Sequence, residues 1–304
     1  MQNAVLRMRG IYKSFPGVRA LQNVDFRLCE GEIHALMGEN GAGKSTLIKV
    51  LTGVYVKESG EINLKGLDKP VTIKSPQEAQ KLGISTVYQE ITLCPNLTVA
   101  ENMFIGRTDE LIVNWKKRIE KTNVILSSLG IPAKATQQLS SCSIAVQQMV
   151  AIARAVDMEC KVLILDEPTS SLDDQEVSKL FSLMRDLRDR GVGIIFVTHF
   201  LDQVYEVCDK ITVLRNGELV GEYLIRDLPR VELVSKMLGK ELGDLSSLHN
   251  ETACDIARQQ EIVIEANELS SDSGIKPFNF KTCKGEVTGF AGLLGSGRSE
   301  CVRA

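Results

Sequence analysis

The segment Gly38-Glu39-Asn40-Gly41-Ala42-Gly43-Lys44-Ser45-Thr46 fits G-x-x-x-x-G-K-[ST] and restricts the fold more than any other stretch of the chain. Such a loop works between a strand and the start of a helix. Its backbone N–H groups turn inward on phosphate while the helix adds the positive end of its dipole. The flanks agree with that placement: Glu32 to Met37 reads as a short apolar strand, and Leu47, Ile48, Val50 and Leu51 predict an apolar helix. The loop from Gly38 to Thr46 is then expected to cradle a nucleoside triphosphate, with Lys44 on the β- and γ-phosphates and the Ser45 hydroxyl on Mg²⁺. The competing reading is a glycine-rich turn that happens to precede Lys-Ser.

Further along, Val162-Leu163-Ile164-Leu165-Asp166-Glu167 is an apolar run closing on two acids. A buried strand of this kind delivers Asp166 to Mg²⁺ at the C-terminal edge of a parallel sheet, and Glu167 to the attacking water. Capping of the following helix is the alternative role for either acid. His199 follows another strand, Val192 to Thr198, and is expected at the same edge, where a neutral imidazole orients water against the γ-phosphate. Gln89, after Ile84 to Tyr88, is a similar candidate for contact with Mg²⁺ and water. His34 lies inside a strand and is assigned to packing; His249 is assigned to solvent, and Trp115 to helix packing.

Strands alternating with helices argue a mainly parallel, helix-covered sheet. Ser75-Pro76-Gln77-Glu78 and Thr98-Val99-Ala100-Glu101 both fit a capping box. After Asp174, apolar residues at Val177, Leu180, Phe181, Met184 and Leu187 predict an amphipathic helix ending before Gly191. The alternation from Leu21 to Leu28, and Asn216-Gly217 between two extended runs, add an antiparallel sheet and a hairpin.

At 304 residues, 43% hydrophobic and 25% charged, the chain buries a core without difficulty. A net charge of −3 gives no bulk attraction to nucleic acid or an anionic bilayer. Eight scattered cysteines without a C-x-x-C pair suggest thiols in a reducing compartment rather than zinc or disulfides. No stretch approaches the roughly 18 apolar residues of a spanning helix.

Aligned with itself, the chain places Gly285-Glu286 on Gly31-Glu32, Gly292 on Gly38, Gly295 on Gly41, Gly297 on Gly43 and Ser299 on Ser45. A second phosphate loop is therefore expected, with Arg298 where Lys44 stands. The domains expected are 1–240, a polar linker 241–261, and 262–304 as the start of a second, truncated unit.

These motifs, in this order, resemble the ATP-binding-cassette ATPases over residues 4 to about 240: GENGAGKST, Gln89 in VYQE, LILDEPTSSLD and FVTHF. The resemblance implies an α/β P-loop cassette with a mainly parallel sheet, an antiparallel β subdomain and a helical signature subdomain. It implies ATP and Mg²⁺ as ligands, and Phe15 as the aromatic that stacks on adenine. It places the family's signature, usually Leu-Ser-Gly-Gly-Gln, at Cys142-Ser143-Ile144-Ala145-Val146, where Ser143 survives and both glycines are lost. Within the family the likeness is to ATPase subunits of bacterial carbohydrate importers of the ribose, galactose and galactofuranose type. That implies integral membrane permease partners, contacted near Gln89 to Gly106, and a periplasmic sugar-binding protein served indirectly. It also implies head-to-tail pairing with a second cassette, a peripheral location on the cytoplasmic face of the inner membrane, and no nucleic acid. The altered signature and Arg298 would share one composite site, leaving one hydrolytic and one mainly structural site. The alternatives are a soluble cassette ATPase acting on ribosome or DNA, and an inactive truncated product; a basic surface or long coiled-coil insertion for the former is not seen.

Overall fold

The computed structural model describes residues 4–88, 92–107, 113–239, 261–271, 275–285, 287–290 and 301. The chain divides into two compact units, Met1–Leu242 and Gly243–Ala304. The first opens with strands β1 (Ala4–Phe15), β2 (Val18–Cys29) and β3 (Ile33–Met37), then helix α1 (Lys44–Leu51), β4 (Ser59–Leu64), α2 (Pro76–Lys81) and β5 (Ile84–Val87). Helices α3 (Val99–Phe104), α4 (Trp115–Ser128) and α5 (Ile144–Asp157) follow. Strand β6 (Val162–Asp166), α6 (Asp174–Asp189), β7 (Gly193–Val197), α7 (Leu201–Val207), β8 (Lys210–Arg215), β9 (Glu218–Leu224) and α8 (Arg230–Leu238) complete the unit.

Six strands form the central sheet in the order β5-β6-β7-β3-β8-β9, parallel except for the antiparallel β8–β9 pair. Parallel strands covered on both faces need apolar residues at every position, and the alternation then sorts them between two cores. Leu163 and Leu165 of β6 and Ile194 and Phe196 of β7 join one core, with α3 to α7. Their neighbours Val162, Ile164, Ile195 and Val197 join the other, with α1, α2 and the antiparallel sheet β2-β1-β4. The hairpin turn at Asn216-Gly217 has φ of 51° and 78°, the left-handed pair that an Asn-Gly turn supplies.

Thr98 makes the complete capping box with Glu101. At α2 the box is only half made: Ser75 accepts from the Glu78 N–H, but the Glu78 carboxylate turns back to the Lys74 N–H at 2.9 Å. Asp173 caps α6 in a full box with Glu176, so neither Asp166 nor Glu167 is used for that purpose. His34 is fully buried, as packing requires, yet it is also hydrogen-bonded, with Glu32 at 2.7 Å and Thr212 at 2.8 Å. Burial opposes ionisation of Glu32, but the His34 hydrogen bond and charge, the Cys29 hydrogen bond and the Lys210 charge outweigh it and hold its pKa at about 2. Trp115 does not pack as expected; it is 45% exposed as the first residue of α4, with the Arg118 guanidinium near its ring. A residue at a helix's first turn overhangs the end of the core, and a large ring there can remain in water.

The second unit shows a hairpin of β10 (Ile262–Ser271) and β11 (Ile275–Cys283), with Phe278 and Phe280 stacked 5.9 Å apart and Phe290 edge-on to Phe280. The second glycine loop, Gly292 to Ser299 with Arg298, lies outside the described residues, as do Glu286, Gln89, His249, Cys254 and residues 240–260. The seven described cysteines are buried or half-buried and form no disulfide with one another. Among the described residues no helix is long and apolar enough to cross a membrane.

Candidate nucleotide site

Parallel strands end on one edge of a sheet, so β3, β6 and β7 deliver their following residues to the same place. From β3 the chain runs into the loop Gly38–Gly43 and then α1, whose first residues are Lys44, Ser45 and Thr46. Two glycines make that path possible. An added Cβ at Gly38 (φ 150°) would collide with the Leu214 carbonyl of β8, and one at Gly43 (φ 105°) would meet the Ala20 carbonyl at 2.7 Å. On the other side Gly41 (φ 82°) faces open space, with nothing within 4 Å of where a Cβ would stand. The loop is thus backed by protein and open toward a cavity, the arrangement that lets main-chain N–H groups approach phosphate closely.

That cavity, of about 410 Å³, is lined by Phe15, Val18, Ala20, Asn40–Thr46, Asp166, Glu167 and Val197. The Lys44 ammonium donates to the carbonyls of Gly38 at 2.7 Å and Glu39 at 2.9 Å, which holds it over the loop. Burial lowers its pKa, against the opposing charges of Glu167 and Asp166. Burial raises that of Asp166, as does the neighbouring Glu167 charge, with Lys44 and Lys49 pulling the other way. Of these lysines only Lys44 lines the cavity, beside two adjacent carboxylates that offer oxygen ligands to a divalent cation. The donor set, a serine hydroxyl and one strand-end carboxylate beside a phosphate cradle, suits Mg²⁺, which keeps most of its oxygen shell from water and phosphate.

Glu167 adopts φ 48°, left-handed for a residue with a full side chain, and its N–H donates to the Val197 carbonyl of β7 at 2.9 Å. Strain of this kind, fixed by the neighbouring strand, is a feature of functional positions. The carboxylate reaches His199, with Nδ1 and Oε2 3.6 Å apart. His199 is 60% exposed along its side chain and lies against Phe200, ring centroids 4.1 Å apart; it joins the site through Glu167 rather than as part of the cavity wall. Behind these two residues the Gln203 carbonyl oxygen accepts from the Thr169 hydroxyl at 2.6 Å and the Thr198 hydroxyl at 3.3 Å, tying together the loops that follow β6 and β7. Gln203 was not legible as a site residue, since a lone glutamine on a helix carries no signal.

Phe15 is not a core residue. Its half-buried ring lies edge-on to Tyr55 at 5.0 Å, with the Lys13 ammonium 5.3 Å from its centroid, on the wall of the same cavity. Ser143 stands apart from this group as the exposed N-cap of α5, its hydroxyl accepting from the Val146 N–H at 3.4 Å. Leu139-Ser140-Ser141 forms a separate single turn anchored by buried Leu139.

The ABC transporter family model matches residues 21–170. A galactofuranose transporter ATP-binding protein of Escherichia coli is 51% identical over 97% of this chain and 59% of its own length. A fructose import ATP-binding protein of Bifidobacterium longum is 48% identical, and a ribose import ATP-binding protein of Rubrobacter xylanophilus 42%, each over 99% of this chain and 59% of the relative. The chain thus spans about three-fifths of the length of the curated relatives it matches. Among solved structures, a cassette from an ABC transporter in its ADP conformation aligns with a TM-score of 0.68 at 24% identity, covering 80% of this chain and 98% of that one. The cbiO1 subunit from Clostridium perfringens aligns with a TM-score of 0.66 at 27% identity, covering 82% and 99%. With the loop, the strand-end acids and the sheet order of a P-loop cassette, and with relatives this similar along nearly its whole length, the chain belongs to the ATP-binding-cassette transporter family.

Proposed function

We propose that this chain binds and hydrolyses ATP, and that the hydrolysis energises import of a sugar through a membrane permease. The observation that carries the first part is the meeting of Lys44, Asp166 and Glu167 on one cavity at the shared end of β3, β6 and β7, with His199 against Glu167. Main-chain N–H groups from Gly38 to Thr46 hold the phosphates, and Lys44 neutralises the β- and γ-oxygens. Phe15 packs on the adenine. Ser45 and Asp166, with Gln89, are the residues that would hold Mg²⁺, which supplies charge neutralisation between the phosphates. Glu167 accepts a proton from the attacking water, and His199 fixes the direction of that carboxylate.

The names of the relatives, import proteins for galactofuranose, fructose and ribose, support a sugar as cargo. On this reading residues 1–240 form a first cassette, 241–261 a linker and 262–304 the start of a second. The site pairs head to tail with another cassette, whose signature completes it, while Ser143 serves the opposite site through the N–H groups of α5. The altered signature at Ser143 and Arg298 in the second loop make that opposite site mainly structural. Permease subunits dock on the cassettes at the cytoplasmic face of the inner membrane, with a periplasmic sugar-binding protein beyond them.

Steady-state hydrolysis of ATP by the purified protein, with and without Mg²⁺, tests the enzymatic half. Glu167→Gln should retain ATP and lose turnover; turnover at the unaltered rate contradicts the assignment. Co-purification with integral membrane permeases, and ATP-dependent sugar uptake into vesicles that contain them, tests the transport half. Recovery with ribosomes or DNA instead contradicts it.

A further inference from the structure

Away from the nucleotide cavity, a second cavity of about 280 Å³ opens beside β1 and β2, with β8 and β9 completing its wall. Arg7 and Arg27 are direct cross-strand partners in the β1–β2 pair, so their side chains leave one face side by side. Arg9, two residues along β1, leaves the same face, and all three arginines line the cavity. Like charges placed opposite one another weaken a strand pair.

The carboxylates around the cavity offset this only in part, and Arg9 has Glu61 as its cross-strand partner on β4. Asp25 is turned to the Gly10 N–H at 2.7 Å. Glu222 is shared between Arg27 at 2.9 Å and Lys210 at 3.5 Å. Lys210 is in turn held by Glu32 at 3.3 Å within the buried Glu32–His34–Thr212 chain, so Glu222 is held on the cavity wall between Arg27 and Lys210. Among the described residues, neither Arg7 nor Arg9 has an ion pair or side-chain hydrogen bond. Two arginines without a described ion pair and a third shared with Glu222 therefore line one small cavity.

We propose that this cavity binds a phosphate group, free or as a small monoester, with its oxygens bridging Arg7, Arg9 and Arg27. Guanidinium forks match phosphate oxygens in pairs, and the cavity has room for a small body against Leu219. Occupancy ties β1 and β2 together where their charges oppose. It also braces them against the β8–β9 pair, whose Leu214 carbonyl backs Gly38 of the nucleotide loop.

Calorimetric titration tests this on the full chain, with the nucleotide site first saturated by Mg²⁺ and a non-hydrolysable ATP analogue. Glycerol 3-phosphate is the probe, and inorganic phosphate and glycerol are the other arms. Saturable binding of glycerol 3-phosphate and none of glycerol is expected, and the double variant Arg7→Gln/Arg9→Gln should weaken it by roughly tenfold or more. The analogue's affinity should stay unchanged. Equal affinity for inorganic phosphate assigns the free ion as the ligand; a clear preference for the ester assigns the monoester. Arg27→Lys, which keeps the charge beside Glu222 but loses the fork, should give a partial loss. In phosphate-free chloride buffer the double variant should melt no lower than the natural protein, because a repulsion has been removed; in phosphate the natural protein should gain and the variant should not. Absence of saturable binding by both phosphate probes, or binding indifferent to the arginine substitutions, overturns the proposal.

Discussion

Helices α1 and α5 each begin after a loop, at Lys44 and Ile144, and only the first begins at the nucleotide cavity. At the start of α1, glycines backed by β8 and by Ala20 press the loop into a cavity that also holds Asp166, Glu167 and the Lys44 ammonium. At the start of α5, Ser143 is exposed, Cys142 is half-buried and Ile144 is 48% exposed. The helix dipole is common to both ends, so it does not set the difference. Where three parallel strands finish together, residues distant in sequence are fixed around the helix end; where a single helix meets solvent, its N–H groups become useful only when something else is brought to them.

Substitutions at and around the two helix starts test that contrast. The largest effect belongs to Glu167→Gln, which should lower ATP turnover by about two to four orders of magnitude in a steady-state assay while leaving ATP affinity within a few-fold. An equal loss of turnover from Ser143→Ala in the same chain would erase the distinction between the two helix starts. Next in size, Phe15→Ala should weaken adenine nucleotides by roughly several-fold to tenfold, and inorganic triphosphate not at all. Titration of both ligands separates stacking from a general loss of the cavity wall.

Capping substitutions act on stability instead. Asp173→Ala should cost about 1 kcal/mol in denaturant unfolding, since it breaks both halves of the box with Glu176, and Ser143→Ala should cost less, its single hydrogen bond being long. Neither should change ATP affinity of the chain on its own. The smallest effect is a gain. Because burial and Glu167 raise the pKa of Asp166, its proton is bound more tightly in the folded chain than in the unfolded one. The folded state therefore loses ground as pH rises past the ordinary carboxylate range. Asp166→Asn should raise the melting temperature near neutral pH, with the advantage shrinking as pH falls through that range. Thermal melts across pH check this, and a gain that grows toward acid would contradict it.

Local signals explain what the sequence made visible. The phosphate loop is contiguous, the buried strands announce themselves as unbroken apolar runs, and the Asn216-Gly217 turn requires only two residues. The acids at 166 and 167 were legible because an apolar strand, buried at every position from Val162 to Leu165, runs out on them. The cap of α6 is legible in the same way, because Asp173-x-x-Glu176 is a contiguous capping-box pattern. By contrast, the left-handed φ of Glu167 depends on a hydrogen bond to Val197, and the bracing by Gln203 joins loops after two different strands. No local pattern encodes those. Trp115 illustrates the same limit, because a ring at a helix end packs or not according to where the core stops.

On the proposed function, main-chain amides and one ammonium at residues 38 to 46 grip a triphosphate beside Asp166. Equilibrium titration of ATP into the purified chain, with and without Mg²⁺ and with and without Lys44→Ala, tests it most directly. The account predicts binding strengthened by Mg²⁺ and weakened by roughly tenfold or more in the variant, as expected when a charge-assisted contact is removed. Binding indifferent to the metal, or unchanged in Lys44→Ala, would contradict it.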